Sequence, residues 1–450
     1  MHAVPLKSSP THPARPPSIR CAVPMDWCGD RVRSRSPLAG GKVDTEWLAA
    51  FLREKYAPAH GRSAWTGVKP VPAGHLLSLD TAGRASLIPW WSPTKRTPVD
   101  ASVALRRALG EGVRVRVEGV TATTDLAGMD STTLALLAAQ CGPVTGITLH
   151  PAGVSHGGDL DYARALTVPG LHRVALPLTP RHLPFTEADV ALPATDEPAP
   201  STPVWSMLSN QLWEMATAGS ACHLTGDGGD GLFLSAPTHL ASLVHQVRWL
   251  RLLRDAMDWA RLRRQSPRPL ISAALRGNTA QIGRTARPRP AWLSVPVPAV
   301  SVPEGSDVDA VFVASIQNLA RSAYAEIQLA DSLNISLHNP YFDGAVLDAV
   351  VSAPAEQRFS ARRYKPLLAD TFADLLPAAH LTRATKGLFV GDFHQGLRLN
   401  LRRVLDLADG RLAALGLVSP APLRATIHAA SLGRKRFGPR CYRRLPPKGG

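Results

Sequence analysis

Ala221-Cys222-His223-Leu224-Thr225-Gly226-Asp227-Gly228-Gly229-Asp230-Gly231-Leu232-Phe233 runs from an apolar segment into a loop and back into apolar residues. Between 225 and 231 the loop holds four glycines and two aspartates. A buried strand ending in such a loop is where ligands sit in open α/β sheets. Two carboxylates on so flexible a loop repel each other unless a cation or hydrogen-bond donors hold them. A plain surface turn is the alternative, and the apolar anchors on both sides disfavour it. About 100 residues earlier, Asp125-Leu126-Ala127-Gly128-Met129-Asp130-Ser131-Thr132-Thr133 stands between a short strand and an apolar helix. Small residues at a helix N-terminus let backbone N–H groups approach a phosphate. Asp130 would repel a phosphate, so its place there calls for a bridging Mg²⁺, although an Asp that only caps the helix would sit at the same position. Two strand-end loops with one carboxylate each, at one edge of a sheet, suit Mg²⁺ shared between ATP phosphates and protein.

Working outward, strand and helix patterns alternate. Helices are predicted at Ser102–Glu111, after Asp130, at Leu160–Leu166 and at Trp205–Ala218. Strands are predicted around Val120–Ala122 and at Val144–Leu149, His172–Leu178 and Ala221–Thr225. Such alternation implies an α/β fold, a parallel sheet covered by helices. Beyond 236 the pattern is almost all-helical, with Leu240, Leu243, Val244, Val247, Leu250, Leu253 and Met257 at helical spacing. Residues 265–305 are rich in Pro and Arg and read as a mobile loop. Upstream, Val43–Tyr56 reads as a helix, and Leu76–Asp80 with Ala85–Trp91 as a β-hairpin.

The chain has 450 residues and a net charge of +16, which raises nucleic-acid binding as a class. The distribution opposes it. Residues 1–42 hold seven Lys/Arg and two Asp, 260–292 hold eight Arg and no acid, and 431–450 hold seven Lys/Arg and no acid. The rest of the chain is therefore slightly acidic, and the basicity lies in expected tails and one loop. Aromatic–basic interleaving is absent, so no nucleic-acid partner is expected. No apolar run is long enough to span a bilayer and no signal peptide is visible, so no membrane partner is expected. Five cysteines without a CxxC pair suit a reducing compartment, and the reading is a cytoplasmic protein. Residues 1–42, with seven prolines, read as disordered.

With both loops in view, the chain resembles the asparagine synthetase superfamily, in its ATP-pyrophosphatase-type synthetase domain. The second loop is similar to that family's S/T-G-[ED]-G-[AG]-D-E-L-F and departs from it only at Gly231, where Glu is usual. The first resembles S-G-G-x-D-S but has Ala127 for the leading Ser and is one Gly short. Asp159-Leu160-Asp161-Tyr162-Ala163, Asn339-Pro340-Tyr341-Phe342-Asp343, Tyr364-Lys365-Pro366-Leu367-Leu368 and Thr382-Arg383-Ala384-Thr385-Lys386-Gly387 resemble further motifs in the family's order. The resemblance implies an adenine-nucleotide alpha-hydrolase-like sheet with helices on both faces and a helical C-terminal part. Ahead of it would stand a remnant of an N-terminal nucleophile-type glutaminase domain. The implied divisions are a disordered segment at 1–42, the remnant and linker at 43–98, the synthetase domain at 99–400, and a helical extension with a basic tail at 401–450.

The resemblance also implies the chemistry: ATP-dependent amide-bond formation through an acyl-adenylate. Asp130 and Asp230 would hold Mg²⁺. Gly128, Ser131 and Thr132, with Gly226, Gly228 and Gly229 of the second loop, would cradle the nucleotide. Lys365 would stabilise charge on the phosphates and on the tetrahedral intermediate. Lys386 is a second cation for the same mouth, Asp227 would position the substrate or amine, and Glu326 is a candidate base for the amine. In this family a cysteine directly after the initiator Met normally hydrolyses glutamine. Position 2 here is His2, so glutamine hydrolysis is not expected. The relatives that find their amine elsewhere include β-lactam synthetases and the lasso peptide macrolactam synthetases. The stretch Asp196-Glu197-Pro198 through Asp230 most resembles the lasso group. That implies a precursor or core peptide as substrate, with a leader-binding protein and a leader peptidase as partners. An asparagine synthase-type or β-lactam synthetase-type ligase and a non-catalytic binding relative are the alternatives.

Overall fold

The computed structural model describes residues 19–21, 42–55, 61–92, 100–234, 237–278, 282, 289–296, 308–382 and 389–433. A three-stranded antiparallel sheet is formed by β1 (Ile19–Cys21), β2 (His75–Leu79) and β3 (Ala85–Pro89). β1 falls within the stretch whose composition reads as disordered and pairs with β2, Ile19 opposite Leu79. The hairpin turn is held by Asp80, whose Oδ1 accepts from the Ala82 and Arg84 amides at 2.9 and 2.8 Å. Nearby α1 (Thr45–Arg53) starts at Asp44, which caps it by accepting from Trp47 N–H at 2.9 Å. The other side of α1 packs on the C-terminal helices, where Ala49 joins Leu293, Leu417 and Val418 in a small core.

The main sheet has five parallel strands in the order β6-β5-β4-β7-β8: β4 (Ala122–Asp125), β5 (Val144–Pro151), β6 (Leu171–Leu178), β7 (Cys222–Leu224) and β8 (Ser336–His338). Against it pack α3 (Met129–Cys141), α4 (Gly158–Arg164) and α5 (Trp205–Thr217), α2 (Ala101–Val117) packs on α3, and α6 (Gly229–Phe233) follows β7. α3 is buried along most of its length: its first turn is polar, and Leu134, Leu136, Leu137 and Ala138 follow as an apolar body. It lies in the same core as Leu105, Leu109 and Val113 of α2. Burying large aliphatic side chains contributes roughly 1.5–3 kcal/mol apiece, so this layer is a principal source of stability. A second cluster joins Ile147 of β5, Leu212 and Met215 of α5, and Ala330, Ile335 and Leu337. The sheet is thus covered by helices, followed by a helical C-terminal part, as the alternating pattern predicts.

Strand order reverses between β4 and β7. That junction is a topological switch point, where the loops leaving two neighbouring strands part and open a crevice.

Three details differ from the sequence reading. β8 lies in the region read as all-helical; three residues are too few to show a strand alternation. The helical run from 240 to 257 is two helices, α7 (His239–His245) and α8 (Trp249–Arg263), broken at Val247, whose φ is +56°. The Pro/Arg-rich stretch read as a loop contains α9 (Arg268–Leu275), which buries Leu270, Ala273 and Ala274. Its prolines fall at the helix start, where no backbone N–H is needed, so they do not break it. A long helix, α10 (Val308–Asp331), then crosses the sheet region, and α11 (Gly344–Ser352) and α12 (Pro366–Thr371) follow. Among the described residues no helix is long and apolar enough to cross a membrane.

Candidate functional site

The two acidic loops meet at the switch point. Gly128 starts α3 with no side-chain cap, which leaves that helix end to its backbone amides. The shortened first loop closes on itself: Ala127 N–H donates to Ser131 Oγ at 3.1 Å, and Ser131 Oγ–H donates to the Gly128 carbonyl at 3.3 Å. The second loop crosses this turn at close range. A Cβ on Gly226 would lie 3.0 Å from the Ser131 nitrogen, and one on Gly229 only 2.4 Å from Asp130 Cγ. Gly228 has φ +94° and leaves no room for a side chain beside Phe342. Gly226 therefore lets the two loop backbones approach, while Gly229 and Gly228 leave room for the Asp130 and Phe342 side chains. Gly231, where the resemblance led one to expect Glu, faces α10, and a Cβ there would be 2.8 Å from Leu319.

Lys365 joins the two aspartates. It caps α12 in the left-handed region, φ +45°, with Pro366 beginning the helix as the sequence predicts. Left-handed backbone is unfavourable for a residue with a side chain, and here it accompanies a lysine turned fully inward. The ammonium donates to Asp130 Oδ2 and, at 2.5 Å, to Asp230 Oδ1. Burial alone would lower the lysine's pKa, but the two carboxylates outweigh it and hold the pKa above its ordinary value, so the charge persists. Asp130 is buried and Asp230 is half exposed. The Asp130 backbone is tied from the far side, where Tyr341 Oη–H donates to its carbonyl at 3.0 Å. Burial holds that phenol well above its usual pKa, so it stays a donor.

The residues present fit a Mg²⁺–triphosphate. The donors are hard oxygens from two carboxylates that converge on one cation, and Mg²⁺ on phosphates commonly takes only one or two protein carboxylates. Thr132 Oγ is buried beside them and has no hydrogen-bond partner among the described residues. Among those residues no group of three His, Cys, Asp or Glu forms a metal cage, so phosphate oxygens would have to complete the shell.

At the other side of the second loop stands a carboxyl pair. Glu326, on α10, faces Asp227; its pKa is pushed up to about 8 by burial first and then by the Asp227 charge, with Ser201 and Lys55 opposing. The sequence gives little sign of this pairing, because 99 positions separate the two residues.

Sequence reading missed three supports. Asp125, at the end of β4, accepts from Gln211 Nε2 at 2.6 Å and lies 3.3 Å from His223 Nε2. Burial would raise its pKa, but bonds to His223, Thr225 and Gln211 lower it overall. Arg116 of α2 grips Asp343 with two bonds of 2.7 and 2.6 Å, both side chains buried. Asp343 precedes α11 but does not cap it with its side chain; its carboxylate ties the Tyr341-Phe342 turn to Arg116 of α2 instead. The third is Tyr341 itself. An Asp next to a strand end was visible; its partners, on other elements, were not. Lys386 lies outside the described residues.

A comparison with curated proteins returns no match. The asparagine synthase family model matches residues 104–442, three-quarters of the chain. The strand-end loops, the parallel sheet and this match agree, and the chain belongs to the asparagine synthase family of ATP-dependent, amide-bond-forming ligases.

Proposed function

We propose that the chain adenylates a side-chain carboxylate of a peptide and closes a macrolactam ring with the peptide's own N-terminal amine, as lasso cyclases do. The observation that carries this reading is the Glu326–Asp227 pair. An amine must shed a proton to attack, and transfer is most efficient when acid and base have similar pKa values. A peptide α-amino group titrates near 7.7–8.0. Burial and the Asp227 charge raise the Glu326 carboxyl toward that range, which makes it a stronger base than an ordinary glutamate for such an amine.

The steps balance as follows. A carboxylate oxygen attacks the α-phosphorus of ATP, and pyrophosphate leaves. The α-ammonium gives one proton to Glu326 and the free amine attacks the acyl carbon; as the C–O bond to AMP breaks, the nitrogen's second surplus proton passes to solvent. The peptide loses the elements of one water, and ATP becomes AMP and pyrophosphate. Mg²⁺ held by Asp130 and Asp230 would neutralise phosphate charge. Amides at the start of α3, with Ser131 and Thr132, cradle the phosphates, and the Gly226–Gly229 backbone walls the pocket. Lys365 offers a fixed cation as negative charge builds on the reacting groups. Ring closure within one folded molecule gains from high effective molarity.

A peptide substrate of this kind implies a leader-binding protein and a leader peptidase as partners. The loop resembling the lasso group stands close to Glu326: the Asp196 amide donates to Gln328 at 2.8 Å, and Glu197 accepts from Arg321 at 2.6 Å. Both partners lie on α10. The test is ATP–pyrophosphate exchange with a synthetic core peptide, followed by mass spectrometry for loss of one water. Exchange is expected only with the peptide, and Asp130→Ala or Asp230→Ala should abolish it. Asparagine formed from aspartate and ammonia, with no exchange driven by peptide, would replace this reading.

A further inference from the structure

α8 is apolar on two flanks, and among the described residues only one is covered. Leu252, Ala256, Trp259 and Ala260 face inward and are buried. Trp249, Leu253 and Met257, at i, i+4 and i+8, form a second stripe with Leu250 beside it. These residues are 46, 47, 44 and 87 % exposed, and Val247, in the turn before the helix, is 67 % exposed. A helix that is hydrophobic on more than one face is ordinarily covered on more than one face. Contiguous exposed apolar residues with a polar border mark interaction surfaces.

The charge around the stripe is positive in excess. Residues 248–264 contain six arginines and two aspartates. Both aspartates already have basic partners: Asp258 accepts from Arg362 at 2.7 Å and lies 3.8 Å from Arg261, and Asp255 lies 3.4 Å from Arg254, 3.5 Å from Arg251 and 3.6 Å from His239. Arg254 and Arg261, 58 and 78 % exposed, border the stripe. At the C-terminal end the surface dips into a recess of about 530 Å³, lined by Met257, Ala260, Arg261, Arg264 and Pro267 among others.

We infer that this face of α8 is a docking surface for an acidic polypeptide segment bearing apolar anchor residues. Trp, Met and Arg are the residue types enriched at protein interfaces, and the recess at the end of the stripe offers a pocket for one anchor side chain. The arginine border selects an acidic partner and speeds its encounter. The recess favours a protein over a bilayer, because a bilayer has no anchor side chain to insert there. This surface is distinct from the two acidic loops, so the inference does not depend on the reaction proposed above.

The experiment uses the full chain and a labelled 18-residue amphipathic peptide with Leu at helical spacing and Glu elsewhere. A Lys-for-Glu counterpart and vesicles of phosphatidylglycerol and phosphatidylcholine serve as the other probes. Fluorescence anisotropy is expected to show the Glu peptide binding at least tenfold more tightly than the Lys peptide, and more weakly as salt rises. Leu250→Ser/Leu253→Ser and Arg254→Glu/Arg261→Glu should each weaken it at least tenfold while circular dichroism and melting stay near wild type. Equal binding of the two peptides, binding indifferent to either double variant, or no binding of the Glu peptide would overturn the inference. Sedimentation with vesicles that the Leu250→Ser/Leu253→Ser variant loses, without peptide binding, would assign the face to a membrane instead.

Discussion

Lys365 Nζ lies 2.5 Å from Asp230 Oδ1 while bonded on its other side to Asp130, so one buried ammonium ties the second acidic loop to the first. A lysine on the phosphates alone could be lost without harm to the resting protein. This one also neutralises two acids. Lys365→Ala is therefore expected to lower turnover by about 10²–10³, the usual effect of removing one preorganised charge. It should also destabilise the protein by roughly 3–5 kcal/mol, as when one partner of a buried ion pair is removed. Steady-state kinetics and denaturant titration check the two effects; near wild-type values in both would remove Lys365 from the site.

The acid pair gives a pH signature. In the proposed reaction Glu326 would act as a base only when ionised, so the proposed ring closure should rise with pH through about 8. Asp227→Asn removes a like charge that raises Glu326's pKa, so the rising limb should move to lower pH. A limb that stays in place in the pH–rate profile would mean that Glu326 does not titrate in the reaction.

The glycine that separates the loops can be tested by one methyl group. Gly229→Ala would place a Cβ 2.4 Å from Asp130 Cγ, so either the loop or the aspartate must shift. Misplacing a reacting group by about 1 Å can cost about 10² in rate. Exchange activity is expected to fall by at least about that factor, with the melting temperature lowered only modestly. Wild-type exchange would show that the loops can separate without loss.

Arg116→Ala should destabilise by roughly 3–5 kcal/mol because it strands a buried Asp343. Replacing both, as Arg116→Met/Asp343→Leu, should recover much of that loss, since apolar replacements of a buried pair are often neutral. Thermal and denaturant melts of the single and double variants make the comparison.

The architecture was largely legible from the chain. Strand–helix alternation places β5, β6 and β7 close to their observed positions, whereas β4, with the sequence Ala-Thr-Thr-Asp, shares only Ala122 with the stretch read as its strand, because threonines and a closing aspartate give no apolar run. The two loops were legible because glycine and aspartate interrupting apolar sequence is a strong local signal. What stayed hidden is long-range or very short. β8 has three residues and no period of its own. Arg116 reads as one more charge on an amphipathic helix, and nothing local shows that it is buried against Asp343. Gln211 and His223 become partners of Asp125 only once α5, β7 and β4 are assembled. The proline-rich start of α9 misleads because proline marks both loops and helix beginnings.

The Lys365 bridge also constrains the order of events during synthesis. Asp130 and its ammonium partner are 235 residues apart in the chain, and Asp230 and the same lysine 135. At about 5–20 residues per second, Asp130 leaves the ribosome on the order of 10–50 s before its counter-ion does. Through that interval the sheet can gather around β4, but the acids that face the crevice have no lysine between them. The carboxylate cluster is thus a late event of folding, and a chain stopped short of residue 365 would carry both acidic loops without the cation that joins them.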